Sequence, residues 1–217
     1  SNKEESAVLT WDGGGDFYTT NAYTSTSISY WKNKKLVWFE RVGNSDMGSL
    51  WHIYSKVIFQ NPFAAGKLMG LAAMGNDSLI PEFKKYAMRP VRGCLSPTYS
   101  IKNCWPDEDM PLYGTANSWK HNDAANIAYA IQNLTIEAGV GLANKAFEIT
   151  NSNNLCISGG CALNGYLNTE IIKQTNFKDV VVPPSVHDGG LSIGAVMFTI
   201  NNILDLFWSI RFWEILL

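Results

Sequence analysis

Ala7-Val-Leu-Thr-Trp-Asp-Gly-Gly-Gly-Asp16 opens the chain with a short apolar run halted by three glycines, and Ile157-Ser-Gly-Gly-Cys-Ala-Leu-Asn164 repeats the device near the other end. A run of strand formers that stops at glycine leaves backbone N–H groups unpaired, and it lets an anion approach closely because no Cβ intervenes. A third such loop is Pro183-Pro-Ser-Val-His-Asp-Gly-Gly190. Glycine loops of this kind in one domain point to a phosphate or a nucleotide.

Working outward from these loops gives the fold. Val8 to Trp11 reads as a strand, and Tyr18 to Tyr30, rich in Thr, Ser and Tyr, favours extended structure. Lys32-Asn-Lys-Lys35 is a turn before Leu36 to Val42, so residues 7–42 are expected to form a three-stranded antiparallel meander. A helix over 48–59 places Leu50, Ile53, Tyr54, Val57 and Ile58 on its apolar side. Residues 76–120 hold five prolines (Pro81, Pro90, Pro97, Pro106, Pro111) without sustained periodicity and read as an irregular insertion with short helices. A long helix then runs from an N-cap region at Asn122 and Asp123 to Ile149, with Ile127, Ile131, Leu134, Ala138 and Leu142 on one side. Gly139 and Gly141 either weaken it or allow close packing. Strand 154–158, helix 163–174, strand 179–182 and helix 190–200 complete the chain. This is an α/β pattern of order βββαβαβα, the ribonuclease-H-like unit. Two such lobes facing each other make the actin-like ATPase fold, and residues 1–200 hold one.

Composition sets further bounds. A chain of 217 residues suits one domain or one lobe of something larger. A net charge of -2, with no basic cluster beyond Lys32, Lys34 and Lys35, argues against nucleic acid as a partner. Cys94, Cys104, Cys156 and Cys161 include no C-x-x-C pair and are read as reduced core thiols, which favours the cytoplasm. The polar start carries no export signal and, lacking Met, looks like a cut. Residues 201–217 are crowded with Ile, Leu, Phe and Trp, but Asp205, Arg211 and Glu214 interrupt them and the stretch is short of the roughly 20 apolar residues of a membrane span. The tail is expected to dock on a missing neighbour; an interfacial helix or a truncated, non-native end is the alternative.

The motifs narrow the function. Asp12-Gly-Gly-Gly-Asp16, Gly66-Lys-Leu-Met-Gly-Leu-Ala72, Asp123 with Ala125 and Gln132, Gly159-Gly-Cys-Ala-Leu-Asn164 with Asn168, and Pro183 through Gly194 follow one another in the order seen in NodU/CmcH-type carbamoyltransferases. The chain resembles that family over residues 7–200. The resemblance implies an O-carbamoyltransferase that makes carbamoyl-adenylate from carbamoyl phosphate and ATP. The carbamoyl group would pass to a hydroxyl of a sugar, antibiotic or nodulation-factor-like acceptor. It also implies a ferrous ion held by a His-x-x-x-His pair and two aspartates, which map onto Asp12 and Asp188. The histidines are not here: His52, His121 and His187 lack that spacing, and the pair would fall just before Ser1. A complementary N-terminal lobe and a C-terminal domain that processes carbamoyl phosphate are likewise expected outside the chain, so this piece alone is expected to be inactive.

Each expected site residue has a plainer alternative. Gly13, Gly14, Gly15, Gly159, Gly160 and Gly189 would turn amides toward phosphate or adenylate, with Asn164 opening a helix whose N-terminus favours anions; close packing is the other reading. Asp12 would bind metal or form a turn with the backbone of Gly14. Asp188 would bind metal or cap a helix. Lys67 would neutralise phosphate or be simply solvated. No general base stands out, and His187 is the one imidazole near the expected site. A related actin-like enzyme that threonylcarbamoylates tRNA is a rival reading, disfavoured by Gly66 through Ala72 and by the lack of a basic face. A lobe that binds nucleotide or a partner without turnover is another.

Overall fold

The computed structural model describes residues 3–13, 17–19, 22–23, 25–43, 47–91, 94–97 and 121–202. Its centre is a five-stranded mixed sheet built from β1 (Glu5–Trp11), β4 (Thr26–Lys32), β5 (Lys35–Gly43), β8 (Asn154–Ser158) and β9 (Asp179–Val181). The spatial order is β5-β4-β1-β8-β9. The first three strands form the expected antiparallel meander, whereas β8 and β9 run parallel to β1. Asn33 and Lys34 join β4 to β5 with φ of 49° and 64°. Positive φ at both turn positions matches the right-handed twist of the flanking strands, so the hairpin closes without splaying. Across β1 and β4 the Tyr30 hydroxyl donates to the Glu5 carboxylate at 2.7 Å. That bond, with Lys32 adding to it, holds the Glu5 carboxyl below its ordinary value.

Strand alternation decides which face is covered. Ala7, Leu9 and Trp11 are fully buried while Thr10 is exposed, and Leu155 and Ile157, in register with Ala7 and Leu9, are buried beside them. Four helices are labelled in chain order: α1 (Met47–Phe59), α2 (Ala65–Ala72), α3 (Ile80–Ala87) and the 30-residue α4 (His121–Thr150). The expected stripe of α4 is the core itself, with Ile127, Ile131, Leu134, Ala138 and Leu142 all fully buried. Burying each of the larger of these contributes roughly 1.5–3 kcal/mol. Gly139 lies where a Cβ would collide with Trp11 and Leu167, so it is there for close packing; Gly141 faces open space. After β8 come a 3₁₀ turn (Gly160–Leu163), α5 (Gly165–Gln174), β9, a second 3₁₀ turn (Asp188–Gly190) and α6 (Leu191–Asn202).

Several expectations need correction. The strand expected over 18–30 is broken into β2 (Phe17–Thr19), β3 (Ala22–Tyr23) and β4, with β2 and β3 pairing only with each other. The buried face of α1 is Met47, Leu50, Trp51, Tyr54 and Ser55, which leaves Ile53 and Val57 half-buried. Residues 65–72, given no secondary structure by pattern, form α2. Within the supposed irregular insertion, α3 delivers Phe83 into the core against Tyr54, and β6 (Met88–Val91) pairs with β7 (Cys94–Pro97). Residues 98–120 and the apolar tail from Ile203 lie outside the described residues. Helix α4 begins at His121, so Asn122 and Asp123 fall inside its first turn and not before it. No described helix is long and apolar enough to cross a membrane.

Candidate functional site

Because β1 and β8 are parallel neighbours, with Thr10 opposite Ser158, the chain leaves both at the same edge of the sheet. The crevice beyond the carboxyl ends of parallel strands is where open α/β sheets bind ligands. Asp12 follows β1 there, and its carboxylate bridges two turns: Oδ1 accepts the Gly13 N–H at 2.7 Å and Oδ2 accepts the Gly160 N–H at 2.9 Å. Its own N–H donates to the Ser25 carbonyl at 2.9 Å. Two amides expected to face an anion thus converge on one point, and the Asp12 carboxylate holds that point. The bond to Gly13 is local, Gly14 of the turn alternative lies outside the described residues, and the bond to Gly160 spans the crevice.

The neighbouring glycine loops are fastened in the same way. Gly159 has φ of 92° and ψ of 165°, and a Cβ there would run into the Trp11 backbone. Its N–H donates to the Val186 carbonyl at 2.8 Å, and Ser158 Oγ donates to the same oxygen at 3.3 Å. The late loop is therefore pinned to the β8 turn two residues before Asp188. The capping alternative for Asp188 belongs to His187 instead, whose Nδ1 accepts the Gly189 N–H at 3.1 Å. Asp188 itself is exposed.

Asn164 caps α5, with Oδ1 accepting the Leu167 N–H at 3.1 Å. The same side chain pairs reciprocally with Gln132 of α4: Gln132 Nε2 donates at 3.2 Å, and Asn164 Nδ2 donates back at 3.0 Å. Both residues are buried. This amide pair locks the start of α5 to the middle of α4.

A cleft of about 660 Å³ opens beside Asp12. Asp12, Gly13, Gly160 and Asn164 line one side, and α1 supplies Ser49, Trp51 and His52. Phe63 and Met69 contribute apolar surface. The approach of α1 is fixed by small residues: a Cβ on Gly13 or Gly48 would overlap the other's backbone, and Ser49 Oγ donates to the Gly13 carbonyl at 2.6 Å. Trp51 Nε1 donates to Thr135 Oγ1 of α4 at 2.9 Å, which satisfies its N–H in the buried wall.

Four of the expected residues therefore meet in this cleft. Gly159 stands one position behind it, whereas Lys67, exposed on α2, and Asp188 and Gly189 are not on its wall. Gly14 and Gly15 lie outside the described residues. The sequence reading missed His52 and Phe63. His52 was judged only by histidine spacing. Phe63 sits in an Asn-Pro-Phe loop with no periodicity to mark it.

Cys156 and Cys161 are not joined in a disulfide, and burial pushes the Cys156 thiol up from its usual value. The residues present supply only part of the implied iron site: Asp12 and Asp188 are hard oxygen donors, but among the described residues no three His, Cys, Asp or Glu side chains gather as a metal-binding group.

The family model described as Carbamoyltransferase N-terminus matches residues 2–197. Nodulation protein NolNO of Sinorhizobium fredii is 26% identical over 212 residues, which are 94% of this chain and 29% of that protein. Nodulation protein U of Azorhizobium caulinodans is 33% identical over 99 residues, 44% of this chain and 17% of that one. The chain thus spans less than a third of the length of these curated relatives. Among solved structures, the activator of the 2-hydroxyisocaproyl-CoA dehydratase from Clostridium difficile with bound ADPNP aligns at 12% identity and a TM-score of 0.48, covering 83% of this chain and 55% of that one.

Proposed function

Because the chain belongs to the carbamoyltransferase family through its N-terminal region, we propose that it is part of an O-carbamoyltransferase whose reaction takes place at the carboxyl ends of β1 and β8. The donor is carbamoyl-adenylate made from carbamoyl phosphate and ATP, and the acceptor is a hydroxyl of a sugar, an antibiotic or a nodulation-factor-like molecule. Carbamoyl phosphate would be processed elsewhere in the longer protein. The strand order β5-β4-β1-β8-β9, with antiparallel pairing on one side and parallel pairing on the other, supports reading the sheet as one ribonuclease-H-like lobe of an actin-like nucleotide-binding domain.

The observation that carries the proposal is the Asp12 bridge. A carboxylate held by amides from two different loops is oriented before any ligand arrives, so it can meet a cation with little reorganisation. Asp12 and Asp188 are proposed as two donors to a ferrous ion, which when bound supplies Lewis-acid polarisation of a carbonyl. The chain's own part is positional. Gly160 and Gly13 hold Asp12, Val186 ties the Asp188 loop to Gly159, and Asn164 with Gln132 keeps the crevice wall from shifting. Lys67 and Gly189 lie off the cleft wall.

The test is anaerobic binding of Fe(II) and ATP to the full-length protein, alongside production of a carbamoylated acceptor. Asp12→Ala and Asp188→Ala are each expected to abolish metal uptake and product. Metal and nucleotide binding indifferent to both substitutions would overturn the assignment.

A further inference from the structure

We propose that His52 is the base that takes the proton from the acceptor hydroxyl. This rests on the carbamoyl-transfer reading of the same cleft. Among the described residues, three titratable side chains line that cleft: Asp12, Cys161 and His52. The Asp12 carboxylate is committed to the Gly13 and Gly160 amides, and Cys161 is buried. His52 is the exposed one. It enters from α1, one helical turn after Gly48 and Ser49, which touch the Gly13 backbone. The same contact that positions Gly13 therefore positions the imidazole on the wall facing it.

The surroundings of the ring fit an organic acceptor. Phe63 packs against His52 in a T-shaped contact, ring centroids 5.7 Å apart at 87°. Phe63 is 86% exposed and Leu163, also on the cleft, is 61% exposed. Large apolar groups so open to water at the rim of a largely apolar crevice suit a molecule with an apolar face as well as a hydroxyl.

In the step itself the acceptor oxygen forms a bond to the carbamoyl carbon. The bond from that carbon to the adenylate phosphate oxygen breaks, and AMP leaves with its electron pair. The hydroxyl proton passes to a ring nitrogen of His52 and from there to solvent. A positioned base of this kind is worth about 100-fold or more.

The experiment uses the full-length protein with ATP, carbamoyl phosphate and two probe nucleophiles, methyl glucoside and hydroxylamine. Hydroxylamine attacks as a neutral amine with no prior loss of a proton and gives hydroxyurea. For His52→Gln the ratio of glucoside carbamate to hydroxyurea is expected to fall about 100-fold. For His52→Ala, added imidazole is expected to restore glucoside carbamate in a concentration-dependent way. An unchanged ratio in His52→Gln, or a wild type that makes hydroxyurea but no glucoside carbamate, overturns the role of His52. A wild type that makes neither product overturns the carbamoyl-transfer reading on which it stands.

Discussion

At the scale of single residues, the crevice is defined by which glycines cannot be anything else. Gly159 occupies a backbone region essentially reserved for glycine, which costs other residues about 1–3 kcal/mol, and a side chain there also meets the Trp11 backbone. Gly159→Ala is therefore expected to cost about 3 kcal/mol or more in urea unfolding. Gly141, within α4 and facing open space, is the control: Gly141→Ala is expected to stabilise by about 0.5–1 kcal/mol, because alanine loses less entropy in a helix. Equal effects would mean that the crevice backbone is not what the structure shows. The site was half legible at this scale. Asp12, Gly13, Gly160 and Asn164 were found because glycine loops after strands carry a physical signature. The donation of Gly160 to Asp12 was not legible, since it joins residues 148 positions apart and depends on strand pairing that no local pattern encodes. His52 was invisible for the related reason that a single imidazole on a helix acquires meaning only from what the helix faces.

At the scale of elements, long periodic segments were read correctly, as were short strands such as 154–158 and 179–182, whereas α2 and the β2–β3 hairpin were not. The stripe of α4 was legible because five buried positions recur at helical spacing; α2 was not, because eight residues with two glycines give too little periodicity to register. The β2–β3 hairpin was absorbed into a neighbouring strand for the opposite reason, since Thr and Tyr signal extended structure without signalling where it breaks. The junction between α4 and α5 makes a sharper claim. Asn164→Ala removes the α5 cap, worth about 1 kcal/mol, and strands the buried Gln132 amide, worth about 1–3 kcal/mol, so denaturant unfolding is expected to report a loss of roughly 2–4 kcal/mol. Asn164→Asp keeps an acceptor for Leu167 but not the donor to Gln132, and is expected to fall between wild type and Asn164→Ala. If Asp is no better than Ala, capping is not what Asn164 contributes.

At the scale of the whole molecule, stability is distributed unevenly, and the distribution follows from α4. This helix packs on α1, α2, α3, α5 and β1, so exposing its amides requires dismantling most of the core. Helix α6 is placed differently. It packs chiefly on the Asp188–Gly190 turn, and it leaves Leu191 at 73% and Val196 at 56% exposure. A helix so short owes most of its stability to the apolar face it buries, and little of that face is buried here. Native-state hydrogen exchange on the 217-residue chain is therefore expected to rank the two helices far apart. Amides of Ile127 through Ala143 should exchange only through global unfolding, while those of α6 should exchange through local opening, at least 100-fold faster. The ranking bears on the crevice, because α6 follows directly on the turn that carries Asp188. If α6 opens locally, the bonds among the described residues that keep the Asp188 loop in place are those from Gly159 and Ser158 to Val186, and Asp188 is the less rigidly held of the two aspartates. Protection in α6 equal to that in α4 would show instead that the Asp188 side of the crevice is as firmly built as the Asp12 side.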